Sequence, residues 1–186
     1  MRSLAGILCS ILYLTVSIAA GQGTPRPTVT VVEYRHAEWD HYFVTAIAQE
    51  ISNLDSGAFA GWTRTGLEFK AYPLDVAATD STYMCRFFST SFAPRSSHYY
   101  SPEPGCGQLT TSPDWQLEGQ VFNLVPSATG TCPVGTTSLF RLYNNGAGAA
   151  PNHRYTIDPS VRDQMLAAQW TAEGNGAAVV FMCAPV

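Results

Sequence analysis

The sequence has few charged residues and almost no lysine. Charged residues make up 13% of the 186 residues, and Lys70 is the only lysine. Because 10 basic residues face 14 acidic ones, the chain lacks the basic face that nucleic acids and anionic lipids require. Hydrophobic residues reach 46%, which is typical of a folded chain and not of a disordered one. The composition therefore indicates a globular protein with no nucleic-acid partner.

Common catalytic and cofactor motifs are also missing. The sequence contains no HExxH zinc motif, no GxSxG nucleophile motif and no phosphate-binding glycine loop. The carboxylates of Asp158 and Asp163 fit the N-terminus of a helix better than a catalytic pair. We therefore expect no catalytic residues and no cofactor, and we keep a hydrolase with an unrecognised site as an alternative.

The one long hydrophobic run lies at the N-terminus. Arg2 precedes an apolar stretch from Leu4 to Ala20, which ends in small residues. This pattern predicts a secretory signal peptide over residues 1–20, since the run is short for a membrane anchor and no basic cluster follows it. Residues 21–28 contain glycine and proline and are expected to form a flexible lead-in. We expect a secreted protein, extracellular or periplasmic, that leaves the membrane once the signal is cleaved.

Four landmarks recur in the same order three times along the chain. They are an arginine in an apolar run, a histidine followed by aromatics, a tryptophan, and a glycine four residues after that tryptophan. The residues are Arg35, Arg86 and Arg141; His41, His98 and His153; Trp62, Trp115 and Trp170; and Gly66, Gly119 and Gly174. The last two repeats share spacings of 12 residues from Arg to His and 17 from His to Trp, against 6 and 21 in the first. This pattern predicts one domain over 29–186 with tandem repeats at 29–79, 80–130 and 131–186.

Each repeat is predicted to fold as strand, strand, helical turn and strand. β-Branched and aromatic residues fill first segments such as VTVVEYRH and third segments such as QVFNLV. Asp158 and Pro159 predict the start of a helix in the third repeat, and Ile47, Ile51 and Leu54 have helical spacing in the first. Because one repeat cannot cover its own apolar face, we expect a β-rich α+β fold. The three repeats should pack around a pseudo-threefold axis.

The cysteines predict two disulfides. Loss of a signal peptide would remove Cys9 and leave four cysteines, none of them in a CxxC pair that would indicate a zinc or redox site. We expect Cys85–Cys106, because prolines and glycines prevent a full helix around Cys106 and a disulfide can replace its packing. We also expect Cys132–Cys183, which would join the start of the third repeat to its last strand.

The repeat resembles that of a secreted domain of unknown function found in bacteria and fungi, alone or beside hydrolase domains. The pattern of that family runs Val-Tyr-Arg-Phe-Tyr, His-Phe/Tyr-Tyr-Thr, a helix, and Gly-Trp-x-x-Glu-Gly. The stretches LFRLYNN, NHRYTIDPSVRDQM, WTAEG and VVFMCAP match it, and the resemblance covers residues 28–186. Thr65 departs from it, since the pattern has glutamate there. The resemblance implies the repeat architecture and no particular activity.

The repeated arginines lie among apolar neighbours, and a buried guanidinium needs a partner. Glu118 and Glu173 follow their tryptophans by three residues and predict Arg–Glu ion pairs in the second and third repeats. The alternative is a site for an anion or a sugar carboxylate. Because Thr65 cannot accept as a carboxylate does, Arg35 is expected to use Glu68 or a backbone carbonyl.

The repeated histidines could converge and bind zinc, but buried imidazoles also serve packing and hydrogen bonding. We prefer the structural interpretation and predict no metal ligands. The histidine outside the pattern, His36, is expected at the surface, and the three repeated tryptophans are expected in the core.

Trp39 is the tryptophan without a counterpart in the repeats. It lies in a short loop between Glu38 and Asp40, and Phe92 occupies the corresponding loop of the second repeat. Aromatics beside carboxylates suit stacking on sugar rings, although loop aromatics also fold back over a core edge. We predict a secreted, non-catalytic module that binds a glycan or cell-wall polymer through these four residues. A protein-binding or inhibitor module is the alternative, and a small secreted hydrolase the second alternative.

Overall fold

The computed structural model describes residues 26–76, 79–103, 105–107 and 112–186. The predicted signal peptide and residues 21–25 of the predicted lead-in lie outside these ranges. The rest of the lead-in is held in place, because Arg26 forms an ion pair with Asp80 at 2.7 Å and lies over the ring of Tyr72. No helix in the described part of the chain is long and apolar enough to cross a membrane.

The first three strands form a three-stranded antiparallel sheet. β1 (Val29–His36) lies between β2 (His41–Thr45) and β3 (Trp62–Ala71). Helix α1 (Ala48–Asp55) connects β2 to β3. Leu54 is buried and Ile51 packs against the core, as their helical spacing predicts. We call β1, β2, α1 and β3 the first strand group.

The remaining strands form a second antiparallel sheet. They are β4 (Thr82–Ser89), β5 (Ser97–Pro102), β6 (Gln116–Pro126), β7 (Thr136–Tyr143), β8 (His153–Thr156), β9 (Thr171–Glu173) and β10 (Met182–Pro185). The strand order is β5-β4-β6-β10-β7-β8, and β9 also pairs with β7. We call β4 to β6 the second strand group and β7 to β10 the third. The described fold is therefore β-rich, with two α-helices and ten strands.

The two later groups differ at the helical position. In the third group, α2 (Pro159–Ala167) begins after Asp158, whose carboxylate accepts a hydrogen bond from the Ser160 amide at 2.8 Å. This is the predicted helix start. In the second group, the described residues between β5 and β6 contain a 3-10 turn at Gly105–Gly107 in place of a helix, as the prolines and glycines of that segment predict.

All three strand groups contribute to one hydrophobic core. Its centre is formed by Val44, Phe69, Met84, Tyr100, Phe122, Leu124, Leu139, Tyr155 and Phe181. The Tyr155 hydroxyl accepts a hydrogen bond from the Tyr100 amide at 3.1 Å, and the Tyr100 hydroxyl donates to the Val44 carbonyl. The apolar surface of each group is thus covered by the other two, which is the main source of stability expected for such a fold.

Buried ion pairs also join the groups. Glu33 on β1 is 2% exposed and accepts hydrogen bonds from Arg154 on β8 at 2.9 and 3.0 Å. Glu50 on α1 accepts two hydrogen bonds from Arg86 on β4. Both pairs fix the first group against a neighbour.

Both predicted disulfides are confirmed. Cys85–Cys106 ties β4 to the 3-10 turn, and Cys132–Cys183 ties the segment before β7 to β10, each with a Cα–Cα distance of 5.5 Å. The first bond therefore anchors the segment that has no helix, and the second holds the last strand to the start of its group. Disulfides of this kind are typical of oxidising compartments.

Candidate functional site

Arg86 holds two carboxylates at the boundary between the two sheets. Its side chain is 6% exposed. Nη1 and Nη2 donate to Glu50 on α1 at 2.8 and 2.6 Å, and Nε donates to Glu118 on β6 at 2.6 Å. Strand β4 provides the arginine, and its two neighbours in space provide the acids. Two carboxylates against one guanidinium give this cluster a net negative charge when both are ionised.

The two carboxyl groups have opposite pKa shifts. Burial would raise the pKa of Glu50, but hydrogen bonds from Arg86 and Thr45 outweigh it, so the pKa lies below its usual value. For Glu118, burial prevails over the attraction of Arg86 and raises the pKa. Glu50 is therefore the ionised acceptor of the cluster, and Glu118 holds its proton to a higher pH.

His98, on β5, completes the polar part of the cluster. Its Nε2 lies 3.6 Å from Glu118, and its ring lies 4.3 Å from that of Phe43 and 4.9 Å from that of Phe88. Burial, assisted by the charge of Arg86, lowers the pKa of His98 to about 3. The imidazole is consequently neutral near pH 7 and can donate one hydrogen bond and accept another.

These groups face a cleft of about 260 Å³ between α1 and the second strand group. We call it the Arg86 cleft. It is lined by Phe43, Glu50, Leu54, Phe59, Trp62, Arg86, Phe88, Ser96, His98 and Glu118. Phe59 is 50% exposed and Trp62 is half-buried, so aromatic surface is available at the mouth. Apolar walls around a few convergent polar groups are the usual composition of a small-ligand site.

Sequence reasoning missed Glu50, Phe59 and Phe88. A signal for Glu50 was present, because it lies on the apolar stripe of α1, three residues after Ile47 and four before Leu54. An acid on a buried helix face needs a cationic partner, and that partner lies in another strand group.

The predicted Arg–Glu pairs are both present. Arg86 reaches Glu118 as described, and Arg141 Nε lies 2.8 Å from Glu173 Oε2. The second pair is close but misaligned, since neither of its two atoms has a hydrogen-bond partner among the described residues. It is thus an ion pair without the directed hydrogen bond of the first.

Arg35 does not occupy the place of the other two arginines. The strand register pairs Arg86 with Tyr100, Arg141 with Tyr155, and Tyr34 with Phe43. Each partner on the second strand is the second residue after the repeated histidine. Tyr34 is therefore the counterpart in β1, and its hydroxyl donates to Asp55 at 2.8 Å.

Because side chains alternate along a strand, Arg35 points to the other face of the sheet. It forms an ion pair with Asp40 at 2.8 Å, where both side chains are solvent-exposed. The partners expected for Arg35, Glu68 or a backbone carbonyl, were wrong. Arg35 lies one residue beyond the position equivalent to Arg86 and Arg141, so its side chain projects from the opposite face of the sheet.

Trp39 packs against the core edge. Its ring stacks on His36 with a centroid distance of 3.6 Å and approaches the edge of Trp62 at 6.3 Å. The surface position expected for His36 was wrong, since this residue is 5% exposed. Gly61 makes room for it, because a Cβ there would lie 2.1 Å from the imidazole Nε2.

The other residues of the predicted loop site are dispersed. Glu38 is exposed, and Asp40 is engaged by Arg35. Phe92 is half-buried against Trp115 at 6.1 Å. None of these residues, nor Trp39, lines the Arg86 cleft, so ligand binding by this loop stays a prediction.

The repeated tryptophans lie at the edges of the core and not inside it. Trp62, Trp115 and Trp170 are each half-buried and pack against three different clusters of buried residues. Of the repeated glycines, Gly66 and Gly119 have positive φ angles of 87° and 124°. Gly174 instead lies so close to Val180 that a Cβ would be 2.5 Å from its carbonyl carbon.

The repeated histidines lie apart. His41 is fully buried with Nδ1 2.8 Å from the Ser96 carbonyl, and His153 Nε2 lies 3.2 Å from Glu173. Burial lowers the pKa of both. Among the described residues, the grouping with metal-ligand spacing is Cys85, Glu103 and Cys106, whose cysteines form a disulfide and offer no thiolate.

The described residues thus form a β-rich, disulfide-bonded domain with a small polar–aromatic cleft at a sheet boundary. Residues 30–181 match a family described as a domain of unknown function (DUF5648), and the protein belongs to this family. No curated protein and no solved structure matches the chain.

Proposed function

We propose that the protein is a secreted, non-catalytic binding module that holds a sugar residue of a glycan or cell-wall polymer in the Arg86 cleft. The observation that carries this proposal is the combination of exposed aromatic surface with fixed hydrogen-bonding groups. Phe59 and Trp62 offer apolar faces for a sugar ring, and Glu50 accepts from hydroxyl groups. His98 is neutral and can both donate and accept.

The size of the Arg86 cleft favours a single sugar ring as its ligand. At about 260 Å³ it lies just below the range of about 300–1,000 Å³ that is common for ligand pockets. Its two carboxyl groups, of Glu50 and Glu118, are held by partly buried hydrogen bonds from Arg86, so they need little ordering when a ligand binds. The two disulfides support export, since such bonds persist outside the reducing cytosol.

We infer in addition that the three strand groups are tandem repeats related by a pseudo-threefold axis. Each has its first strand between the other two, in the orders β2-β1-β3, β5-β4-β6 and β8-β7-β9. The shared register at Tyr34, Arg86 and Arg141 and the common core support the same relation. On this view the Arg86 cleft is a junction between repeats.

Binding should be tested on a glycan array with the wild-type protein and two variants. Phe59→Ala removes the exposed aromatic of the cleft, and Leu74→Ala is the matched control, 41% exposed and outside the cleft. We expect Phe59→Ala to weaken binding about tenfold, equivalent to ~1.4 kcal/mol, and Leu74→Ala to leave it unchanged. Equal binding by both variants would contradict the proposal.

If the glycan array gives no signal, a protein ligand is tested next by capture from the secreted proteins. A secreted protein captured by the wild type, and lost with Phe59→Ala, would assign the cleft to a protein-binding or inhibitor module.

A hydrolase is the second candidate, favoured by the opposite pKa shifts of Glu50 and Glu118. A carboxyl group with a lowered pKa beside one with a raised pKa is the arrangement expected of a base and an acid. The test is turnover of an oligosaccharide that the array identifies. Turnover lost in Glu118→Gln while binding persists would establish catalysis, and absence of turnover would leave the binding module.

A further inference from the structure

Two arginines of the second sheet, Arg86 and Arg141, occupy equivalent register positions and differ in how they are neutralised. Arg86 donates to two carboxylates, those of Glu50 and Glu118, with hydrogen bonds of 2.6 to 2.8 Å. Arg141 lies near one carboxylate, Glu173, and its Nε–H is not directed at it. Its guanidinium therefore keeps hydrogen-bonding capacity that the guanidinium of Arg86 has used.

The missing helix of the second strand group explains the difference. Helix α1 follows β2 and supplies Glu50, whereas the segment after β5 forms the turn Gly105–Gly107 and supplies no acid to Arg141. All 14 acidic residues of the sequence fall within the described ranges, and among them Glu173 is the one within ion-pair distance of Arg141.

A cavity of about 400 Å³ lies beside Arg141, and we call it the Arg141 pocket. Hydroxyl and amide groups of Thr82, Tyr99, Ser101 and Asn175 belong to its lining. Phe181 covers one face of the guanidinium, with Cζ 4.1 Å from the ring centroid, and Arg141 itself lines the pocket. Among the hydrogen bonds of the described residues, those of Arg141 go from Nη1 to Tyr99 and to the Tyr100 carbonyl.

We propose that the Arg141 pocket binds the carboxylate of a uronic-acid residue in an acidic saccharide. Because the hydrogen bonds of Arg141 to described residues come from Nη1, its other N–H groups can form charge-assisted hydrogen bonds to a carboxylate. The surrounding residues with hydroxyl and amide groups match the hydroxyls of a sugar ring. Several side chains with hydroxyl or amide groups lie around the arginine, beside the apolar Phe181, and this mixture suits a sugar ring, which carries hydroxyl groups on an apolar frame. The proposal rests on the glycan-binding function and adds the class of glycan and a second subsite.

The probe is trigalacturonate, and its methyl ester is the uncharged control. Ala128 is exposed at the rim of the pocket, so Ala128→Asp adds a negative charge without disturbing the core, and Ala128→Asn is its matched neutral variant. We expect Ala128→Asp to weaken trigalacturonate binding about threefold to tenfold at low salt, and Ala128→Asn to leave it unchanged. Glu103→Gln removes a rim carboxylate and is expected to strengthen binding. Isothermal titration calorimetry measures the dissociation constant of trigalacturonate for the wild-type protein and these three variants.

Several results would overturn the inference. Equal binding of the acid and its ester, no binding of the acid, or equal effects of Ala128→Asp and Ala128→Asn would show that no carboxylate site exists here. Competition by polyglutamate with equal potency would assign the pocket to an acidic peptide. Binding that is lost in Phe59→Ala and unaffected by Ala128→Asp would place the saccharide in the Arg86 cleft alone and leave the proposed function intact.

Discussion

Glu50 on α1 and Arg86 on β4 form two parallel hydrogen bonds, at 2.6 and 2.8 Å, across the boundary between the two sheets. This bidentate pair positions the polar side of the Arg86 cleft and joins the first strand group to the second. Because Arg86 also holds Glu118, loss of one acid leaves it a partner. Among the described residues, Glu173 is the carboxylate paired with Arg141, so loss of Glu173 leaves Arg141 without an acidic partner.

Removal of the two glutamates should therefore have unequal costs. Glu173→Ala leaves the guanidinium of Arg141 buried without a carboxylate and should lower the free energy of unfolding by about 3–5 kcal/mol. Glu118→Ala leaves Arg86 paired with Glu50 and should cost about 1–2 kcal/mol. Urea denaturation measures both values. Equal losses would show that Glu50 does not compensate Arg86 for the loss of Glu118.

Acidification should destabilise the protein already at pH values well above the usual pKa range of carboxyl groups. His98 has a pKa of about 3 when folded, against about 6.5 in an unfolded chain, so between these values the unfolded state binds more protons. The free energy of unfolding should fall by about 2 kcal/mol from pH 7 to pH 5 through His98 alone.

His98→Gln is the control for this pH dependence, since glutamine does not titrate. The variant should be less sensitive to pH over this interval. Part of the slope should persist, because burial also lowers the pKa of His36, His41 and His153. An unchanged slope in His98→Gln would contradict the assignment.

The two disulfides should stabilise the fold to different degrees. In the chain-entropy account, the loop of 51 residues closed by Cys132–Cys183 contributes about 4 kcal/mol, and the loop of 21 closed by Cys85–Cys106 about 3 kcal/mol. Replacement of each pair by alanines, followed by denaturation, should show the larger loss for the first pair. The reverse order would mean that the Cys85–Cys106 bond supports more than loop closure.

Substitutions of Trp39 and Phe59 should have separate effects, the first on stability and the second on glycan binding. Trp39→Ala removes the stack on His36 and should lower the free energy of unfolding by about 1–3 kcal/mol with little effect on glycan binding. Phe59→Ala, at a half-exposed position, should change stability by less than about 0.5 kcal/mol and weaken binding. If Trp39→Ala abolishes binding and leaves stability unchanged, the site lies in the Trp39 loop.

Features that depend on local spacing could be predicted from the sequence. The start of α2 follows from Asp158 and Pro159, and the disulfides follow from an even number of cysteines and their positions in the predicted repeats. The ion pairs to Glu118 and Glu173 join neighbouring strands of one group, so the repeat pattern contains them.

Features that depend on register or on contacts between groups could not be predicted in this way. Arg35 differs from Tyr34 by one position, which is enough to exchange the faces of the sheet. The cleft needs Glu50 and Arg86 to meet across two groups, and no spacing within a repeat specifies that contact. His36 is buried because Gly61 approaches it from another loop.

The most direct test of the central claim, that the Arg86 cleft binds a sugar residue, uses the indole N–H signals of the tryptophans. A glycan selected on the array is titrated into 15N-labelled protein. Trp62 lines the cleft, whereas Trp170 packs against a separate cluster beside Tyr42 at 5.8 Å. The account predicts a saturable shift of the Trp62 signal with the Trp170 signal unchanged. A shift of Trp170 with Trp62 unchanged, or binding without a shift of Trp62, would contradict it.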